Sequence, residues 1–167
     1  DTVKIVEVGP RDGLQNEKLF VPTVIKKQFI SRLRNAGLQE MELTSFVSPK
    51  WVPQMSDAAE IVVDCLEADT RNIVLAPNRK GIDRVYSTDC QAVAVFVGVS
   101  NSFNFKNINK TTKDSMAELA PIIYELKEKN YFVRACISTA FYCPYEGKID
   151  ESDTIKLCQE FVDAGVD

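Results

Sequence analysis

Apolar and polar positions along this chain keep two different rhythms. Short β-branched or continuous apolar runs recur at Val3–Val8, about Glu40–Thr44, Asn72–Leu75, Ala92–Val99 and Tyr131–Ser138, and each reads as a strand. Val3, Ile5, Val6 and Val8 are expected to be buried, and Gly9-Pro10 ends their strand. The Ala92–Val99 run is nearly unbroken, as in a strand covered on both faces. Between the strands the apolar spacing is helical. Thr23 is a candidate N-cap for a helix with an Ile25, Phe29, Leu33, Ala36 stripe, and Gly37 is its stop. A second helix over Asp57–Glu67 pairs Ile61 with Cys65 and Val62 with Leu66. Asn78 can cap a short helix to about Tyr86, after which Ser100–Asn109 reads as a polar loop. Thr112–Lys129 carries Met116, Leu119, Ala120, Ile123 and Leu126 on one face, with Pro121 inside it. An interior proline costs about 3 kcal/mol, so a kink or a restart is expected there. Ser152–Ala164 is the last helix, and Gly165–Asp167 reads as the entrance to a sixth strand.

Five βα units with a period of about 30 residues imply a parallel sheet. A closed (β/α)8 barrel needs eight units and typically about 250 residues. A five-stranded doubly wound sheet would fit the length, but no G-x-G-x-x-G or phosphate loop follows the first strand. The expected fold is therefore α/β, a parallel TIM barrel of which about five of eight units are present. Residues 1–167 would form the N-terminal portion of a single barrel domain. The chain opens on Asp1 rather than Met, as a trimmed start would.

Composition narrows the chemistry. The net charge of −4 argues against nucleic acid as a partner. No stretch approaches the roughly 18 consecutive apolar residues of a membrane span. Five cysteines without a CxxC pair suit a reduced compartment and no disulfides. The absence of histidine removes Ser-His and Cys-His nucleophiles and imidazole zinc sites. Any metal held by these residues would be oxygen-ligated, as Mg²⁺, Mn²⁺ or Ca²⁺ are.

The densest polar cluster is Arg11, Asp12, Gln15, Asn16 and Glu17, directly after the first strand. A rigid strand delivering a cation, a carboxylate and amides at its C-terminal end is how α/β proteins build sites, although an exposed ion pair in a turn would look the same. Glu7 and Glu42 sit among apolar residues, where a carboxylate is costly unless paired. Both are expected to face the barrel mouth and pair with arginines. Glu42 can alternatively be part of the site, orienting Arg11 or a substrate group, and Ser45 further along is placed on its face. Ser45–Met55 reads equally as a packed plug or as a substrate-contacting loop. Asn78 and Asn107 also follow strands. Cys143, in a chain without histidine, reads as a structural loop cysteine.

Three segments, VKIVEVGPRDGLQNEK at 3–18, ELTSFVSPKWVPQM at 42–55 and CPYEGKI at 143–149, resemble in this order the 3-hydroxy-3-methylglutaryl-CoA lyase family, a branch of the metal-dependent lyases and Claisen-type condensing enzymes. The resemblance runs over essentially the whole chain. It implies a TIM barrel and metal-assisted retro-Claisen cleavage of 3-hydroxy-3-methylglutaryl-CoA to acetyl-CoA and acetoacetate, in leucine degradation or ketone-body metabolism. It implies that Asp12 binds a divalent cation, Mg²⁺ or Mn²⁺, and that Arg11 stabilises charge on the substrate. Glu42 would join Arg11 as a catalytic residue. Gln15 would lie near the metal-bound water, Lys18 near the CoA moiety, and Asn107 at the substrate; Ser45, from its place beside Glu42, is a further candidate substrate contact. The implied partner is an acyl-CoA substrate, with homo-oligomers left open, in bacterial cytoplasm or the mitochondrial matrix. The family's remaining metal ligands (two histidines in an HxH strand and an asparagine) and its catalytic cysteine have no counterpart here, so these 167 residues alone are expected to be inactive. Asn101, where relatives often carry an acid, and Cys136, where many carry an aromatic, leave open a lyase for a longer branched acyl-CoA or a Claisen-type synthase. A non-catalytic barrel fragment is the other alternative.

Overall fold

The computed structural model describes residues 3–167. Five parallel-type strands make one sheet in the order β1-β2-β3-β4-β5: β1 Val6–Glu7, β2 Glu40–Ser45, β3 Arg71–Leu75, β4 Ala92–Gly98 and β5 Phe132–Ser138. The helices are α1 Thr23–Asn35, α2 Ala58–Cys65, α3 Arg79–Val85, α4 Asn101–Ile108, α5 Thr112–Glu128 and α6 Glu151–Ala164. A two-stranded antiparallel pair, β6 Tyr142–Cys143 and β7 Gly147–Lys148, lies between β5 and α6. The chain divides into two compact units, one ending at Val93 and the other spanning Ala94–Asp167.

In the first unit β1 pairs with β2 and β2 with β3, both in parallel. The strand predicted over Val3–Val8 shrinks to two residues, and Val3 and Ile5 are exposed rather than buried. Val3 and Ile5 lie ahead of the two residues that pair with β2, so neither is drawn into the sheet. Helix α1 corrects the sequence in a second way. Its buried positions are Lys26 and Ile30, while Ile25 and Ala36 are exposed. Ile30 packs with Met41, Leu43, Ile61 and Cys65, so the face against β2 and α2 is set one residue round from the predicted stripe. Thr23 is not the N-cap; Pro22 occupies that place and the Thr23 hydroxyl donates to Asp57 Oδ2 at 2.8 Å. The helix ends as predicted, with Gly37 at φ +94°, Gly37 N–H on the Arg34 carbonyl and Leu38 N–H on the Leu33 carbonyl.

Strand β2 contains a bulge. Glu42 registers with Ile73, Thr44 with Val74 and Ser45 with Leu75, leaving Leu43 as the extra residue. Glu42 and Ser45 are three positions apart, not the two that a shared face by alternation requires, so strict alternation would send them to opposite faces. The bulge instead sets them opposite Ile73 and Leu75, two apart on β3, and so on one face.

In the second unit the predicted polar loop Ser100–Asn109 is a helix, α4. Ser100 caps it through Phe103 N–H, and Asn109 ends it in the left-handed conformation. Apolar periodicity is weak over SNSFNFKN, and the signal for this helix lies in its caps. Buried Asn104 clasps the end of β4: Gly98 N–H donates to its Oδ1 at 2.8 Å and its Nδ2 donates to the Gly98 carbonyl at 2.7 Å. A Cβ on Gly98 would lie 2.7 Å from the Phe103 ring, so only glycine allows the approach. Helix α5 runs through Pro121 as one element without the restart considered above, and Pro121 lies on its exposed side. Asp167 donates its N–H to the Val133 carbonyl at 2.9 Å and accepts Val133 N–H on its carboxylate at 2.8 Å. That is how a neighbouring strand would begin to pair with β5.

The β6–β7 segment is tied to the N-terminus of α4. Ser102 N–H donates to Glu146 Oε1 at 2.7 Å, and the serine hydrogen bonds of Ser102 and Ser100 hold the Glu146 carboxyl below the usual carboxylate range. The buried Cys143 thiol donates to Ser100 Oγ at 3.0 Å, as the structural reading of this cysteine requires. Burial pushes that thiol up, and bonds from Ser100 and from the Tyr145 and Glu146 backbone bring it net below its ordinary value.

Two measurements check this account. Asn104→Leu strands the buried N–H of Gly98, while its carbonyl keeps the Thr112 hydroxyl at 2.8 Å, and should cost about 1–3 kcal/mol in urea unfolding; a loss under about 0.5 kcal/mol would contradict the clasp. Because the Glu146 carboxyl is depressed in the folded state, its stabilisation is complete above its unfolded value and disappears as pH falls through the folded value. Glu146→Gln should therefore flatten the loss of stability on acidification and leave the profile above pH 6 unchanged in shape.

Candidate functional site

The chain leaves β1 through a single wide turn, Gly9–Gly13. One carbonyl organises it: Val8 O accepts N–H from Arg11 at 3.1 Å, Asp12 at 2.7 Å and Gly13 at 3.3 Å. Pro10, with φ fixed and no donor, fits the start of such a turn. Glu7 does not pair with an arginine as expected but accepts Gly9 N–H at 2.6 Å. A Cβ at Gly9 would lie 2.8 Å from that carboxylate and 3.2 Å from the Phe29 ring. The sequence Gly-Pro-Arg-Asp-Gly therefore brings two consecutive charged side chains to the C-terminal end of a strand.

Arg11 turns inward and Asp12 outward. Arg11 Nε donates to Glu42 Oε2 at 2.6 Å and its NH1 donates to Asp12 Oδ1 at 2.7 Å. The Glu42 side chain is completely buried, that of Arg11 is 14% exposed and that of Asp12 56%. Glu42 thus pairs with an arginine, as its apolar setting demands. The result is a guanidinium locked on one edge with its remaining N–H groups available near an exposed carboxylate.

Two buried side-chain oxygens have no hydrogen-bond partner among the described residues, Gln15 Oε1 and Ser45 Oγ. Orphaned buried polar atoms are rare, and such atoms beside a charged turn suit a ligand that completes them. Gln15 and Lys18 line a cavity of about 270 Å³ whose other wall is Trp51–Gln54. Asn78 serves as the cap of α3, accepting Gly81 N–H at 3.1 Å. Asn107 lies in the second unit on α4 rather than in a loop, and its Nδ2 donates to the Phe103 carbonyl at 2.8 Å.

No group of three or more His, Cys, Asp or Glu able to hold a metal occurs among the described residues. The Asp12 carboxylate and the orphaned Gln15 amide oxygen are oxygen donors of the kind that a hard divalent cation takes. Sequence reasoning missed a buried polar network beside the cavity. Lys26 is only 3% exposed, donates to both Asp57 oxygens at 2.9 Å and also to the Gln54 carbonyl. A lysine on a helix gives no sign of burial; only its neighbour at i+4, Ile30, on the same face would have hinted at it.

Parallel βα units with a charged turn at the end of the first strand define the architectural class. Within it, the chain belongs to the HMGL-like family, whose model matches residues 2–167. It is 47% identical over 148 residues to the cytoplasmic 3-hydroxy-3-methylglutaryl-CoA lyase of Rattus norvegicus, covering 88% of this chain and 43% of that protein. It is 43% identical over 164 residues to the mitochondrial hydroxymethylglutaryl-CoA lyase of Homo sapiens, covering 98% of this chain and 50% of the relative. The structure matches the crystal structure of hydroxymethylglutaryl-CoA lyase from Pseudomonas aeruginosa with a TM-score of 0.93 and 38% identity over 98% of this chain and 55% of that one. It also matches an HMG-CoA lyase from Acinetobacter baumannii, solved with coenzyme A and 3-methylmalate, at a TM-score of 0.92 and 32% identity over 98% of this chain and 53% of that one. The partial parallel barrel read from the sequence is thereby borne out, and the chain spans about half the length of these relatives. No helix among the described residues is long and apolar enough to cross a membrane.

Arg11→Met removes a partner from a buried carboxylate and should cost about 3 kcal/mol in urea unfolding. Asp12→Asn, at an exposed position, should cost under about 0.5 kcal/mol. Equal effects would contradict the inward and outward assignment of the pair.

Proposed function

We propose that the protein to which these residues belong is a 3-hydroxy-3-methylglutaryl-CoA lyase and that Arg11, Asp12, Gln15 and Glu42 form part of its active site. The observation that carries the reading is the Arg11 guanidinium, fixed by buried Glu42 at 2.6 Å beside the exposed Asp12 carboxylate. In retro-Claisen cleavage the tertiary hydroxyl of the substrate loses its proton to a base. Its oxygen becomes the ketone of acetoacetate. The electrons of the broken carbon–carbon bond pass to the thioester as an enolate, and a proton returned to carbon gives acetyl-CoA.

Negative charge therefore grows on the thioester oxygen, and a guanidinium that cannot deprotonate and need not reorganise stabilises it. Glu42 holds Arg11 in that geometry. A divalent cation of the Mg²⁺ or Mn²⁺ class would be held in part by Asp12, with Gln15 beside it, and supplies Lewis acidity toward the substrate oxygens when bound. Ser45 Oγ, buried and unpartnered, would contact the acyl group. Lys18 would meet the CoA moiety, the ligand seen with the Acinetobacter baumannii relative.

The test uses a polypeptide with the full length of the relatives, Mg²⁺ or Mn²⁺, and release of acetoacetate as the readout. Arg11→Met should lower kcat by about 10²–10³-fold or more with little change in KM. Cleavage with unchanged kcat would overturn the assignment of Arg11, and failure of the unsubstituted protein to cleave the substrate would overturn the reading as a whole.

A further inference from the structure

The segment between the charged turn and α1 carries Lys18, yet residues 18–22 form neither helix nor strand. What fixes it is one side chain from another loop. Gln54 lies in the short turn Pro53–Met55 and is 6% exposed. Its Nε2 donates to the Leu19 carbonyl at 3.0 Å, and Val21 N–H donates to its Oε1 at 2.9 Å. A primary amide gripping C=O of one residue and N–H of the residue two further on reproduces the pairing that a neighbouring strand would give. The grip has a rigid base. The Gln54 carbonyl accepts from buried Lys26, Lys26 is paired with Asp57, and Asp57 also accepts from Thr23. Lys26 Nζ also stands 4.9 Å from the centre of the Phe20 ring, over the same segment.

We propose that Gln54 is a positioning residue that holds Lys18 against the cavity it shares with Gln15, Phe20 and Trp51, and so sets the affinity of the site for the CoA part of the substrate. The inference rests on the reading of Lys18 given above and adds the residue through which that reading works. Leu19 follows Lys18 directly, so anchoring the Leu19–Phe20 peptide by its carbonyl holds the backbone one residue beyond the one from which Lys18 projects. The Lys18 ammonium is a point charge on a flexible stem. Its value to an anionic ligand therefore depends on where its backbone is held. Without the amide, both Leu19 and Val21 lose a partner and the wall carrying Lys18 is freed.

The experiment measures the Kd for free coenzyme A by calorimetry, and KM and kcat for 3-hydroxy-3-methylglutaryl-CoA, on the full-length polypeptide. It compares Gln54→Met, Lys18→Met and the double variant. Gln54→Met should weaken coenzyme A binding and raise KM about tenfold, with kcat within about twofold. In the double variant the loss should be no greater than in Lys18→Met alone, since both substitutions remove the same contact. Gln54→Glu keeps the acceptor for Val21 N–H and loses the donor to Leu19, so an intermediate weakening is expected if Gln54→Met folds poorly. Additive losses, an unchanged Kd, or a fall in kcat at constant KM would overturn the proposal. A Kd that responds to Lys18→Met but not to either Gln54 variant overturns this inference alone. A Kd insensitive to Lys18→Met overturns the CoA role of Lys18 and this inference with it.

Discussion

A fully buried carboxylate in the middle of a parallel sheet is the constraint around which the first unit is arranged. Glu42 could be accommodated only if a cation reached it, and Arg11 does so from the turn after β1. That requirement fixes the direction in which the turn must face. The turn can comply because Val8 offers one carbonyl to three successive N–H groups and Glu7 takes the N–H of Gly9. Asp12 is then left pointing outward with its charge largely in water. One burial demand thus separates two adjacent residues into an oriented cation and an available anion.

A second theme unites the two units. Where the backbone leaves regular pairing, a side-chain amide takes over its hydrogen bonds. Gln54 does this for Leu19 and Val21, Asn104 for both polar groups of Gly98, and Asn78 for Gly81. Amides suit the task because they carry donor and acceptor side by side without a charge to desolvate. Irregular backbone near strand ends stays fixed in this way without extending the sheet, and the ends remain open for ligands.

The alternation of strands and helices was legible because each element's own pattern carries it, and the strand ends were marked by Gly9-Pro10 and Pro77. The pairing of Glu42 was legible too, since few alternatives exist for a carboxylate between Met41 and Leu43. Other features were not. Helix α4 has polar residues on most of its surface and is set by the Ser100 cap and by Asn104, whose bonds reach β4. Burial of Lys26 depends on Asp57, 31 positions away, and local periodicity contains nothing about such a partner. The exposure of Val3 and Ile5 follows from pairing that begins only at Val6, which their β-branched character does not reveal. The orphaned oxygens of Gln15 and Ser45 could be recognised only once their surroundings were known.

The extra residue at Leu43 divides this strand mechanically. Up to Glu42 the strand is tied to β1 and β3 in one phase, and from Thr44 onward it is tied to β3 in another. A bulge is therefore a spatial phase boundary. The half that frames the sheet and the half that ends at Ser45 keep separate registers. A substitution at the mouth of the strand acts on the second register, while the frame that carries Glu42 and its guanidinium is held by the first.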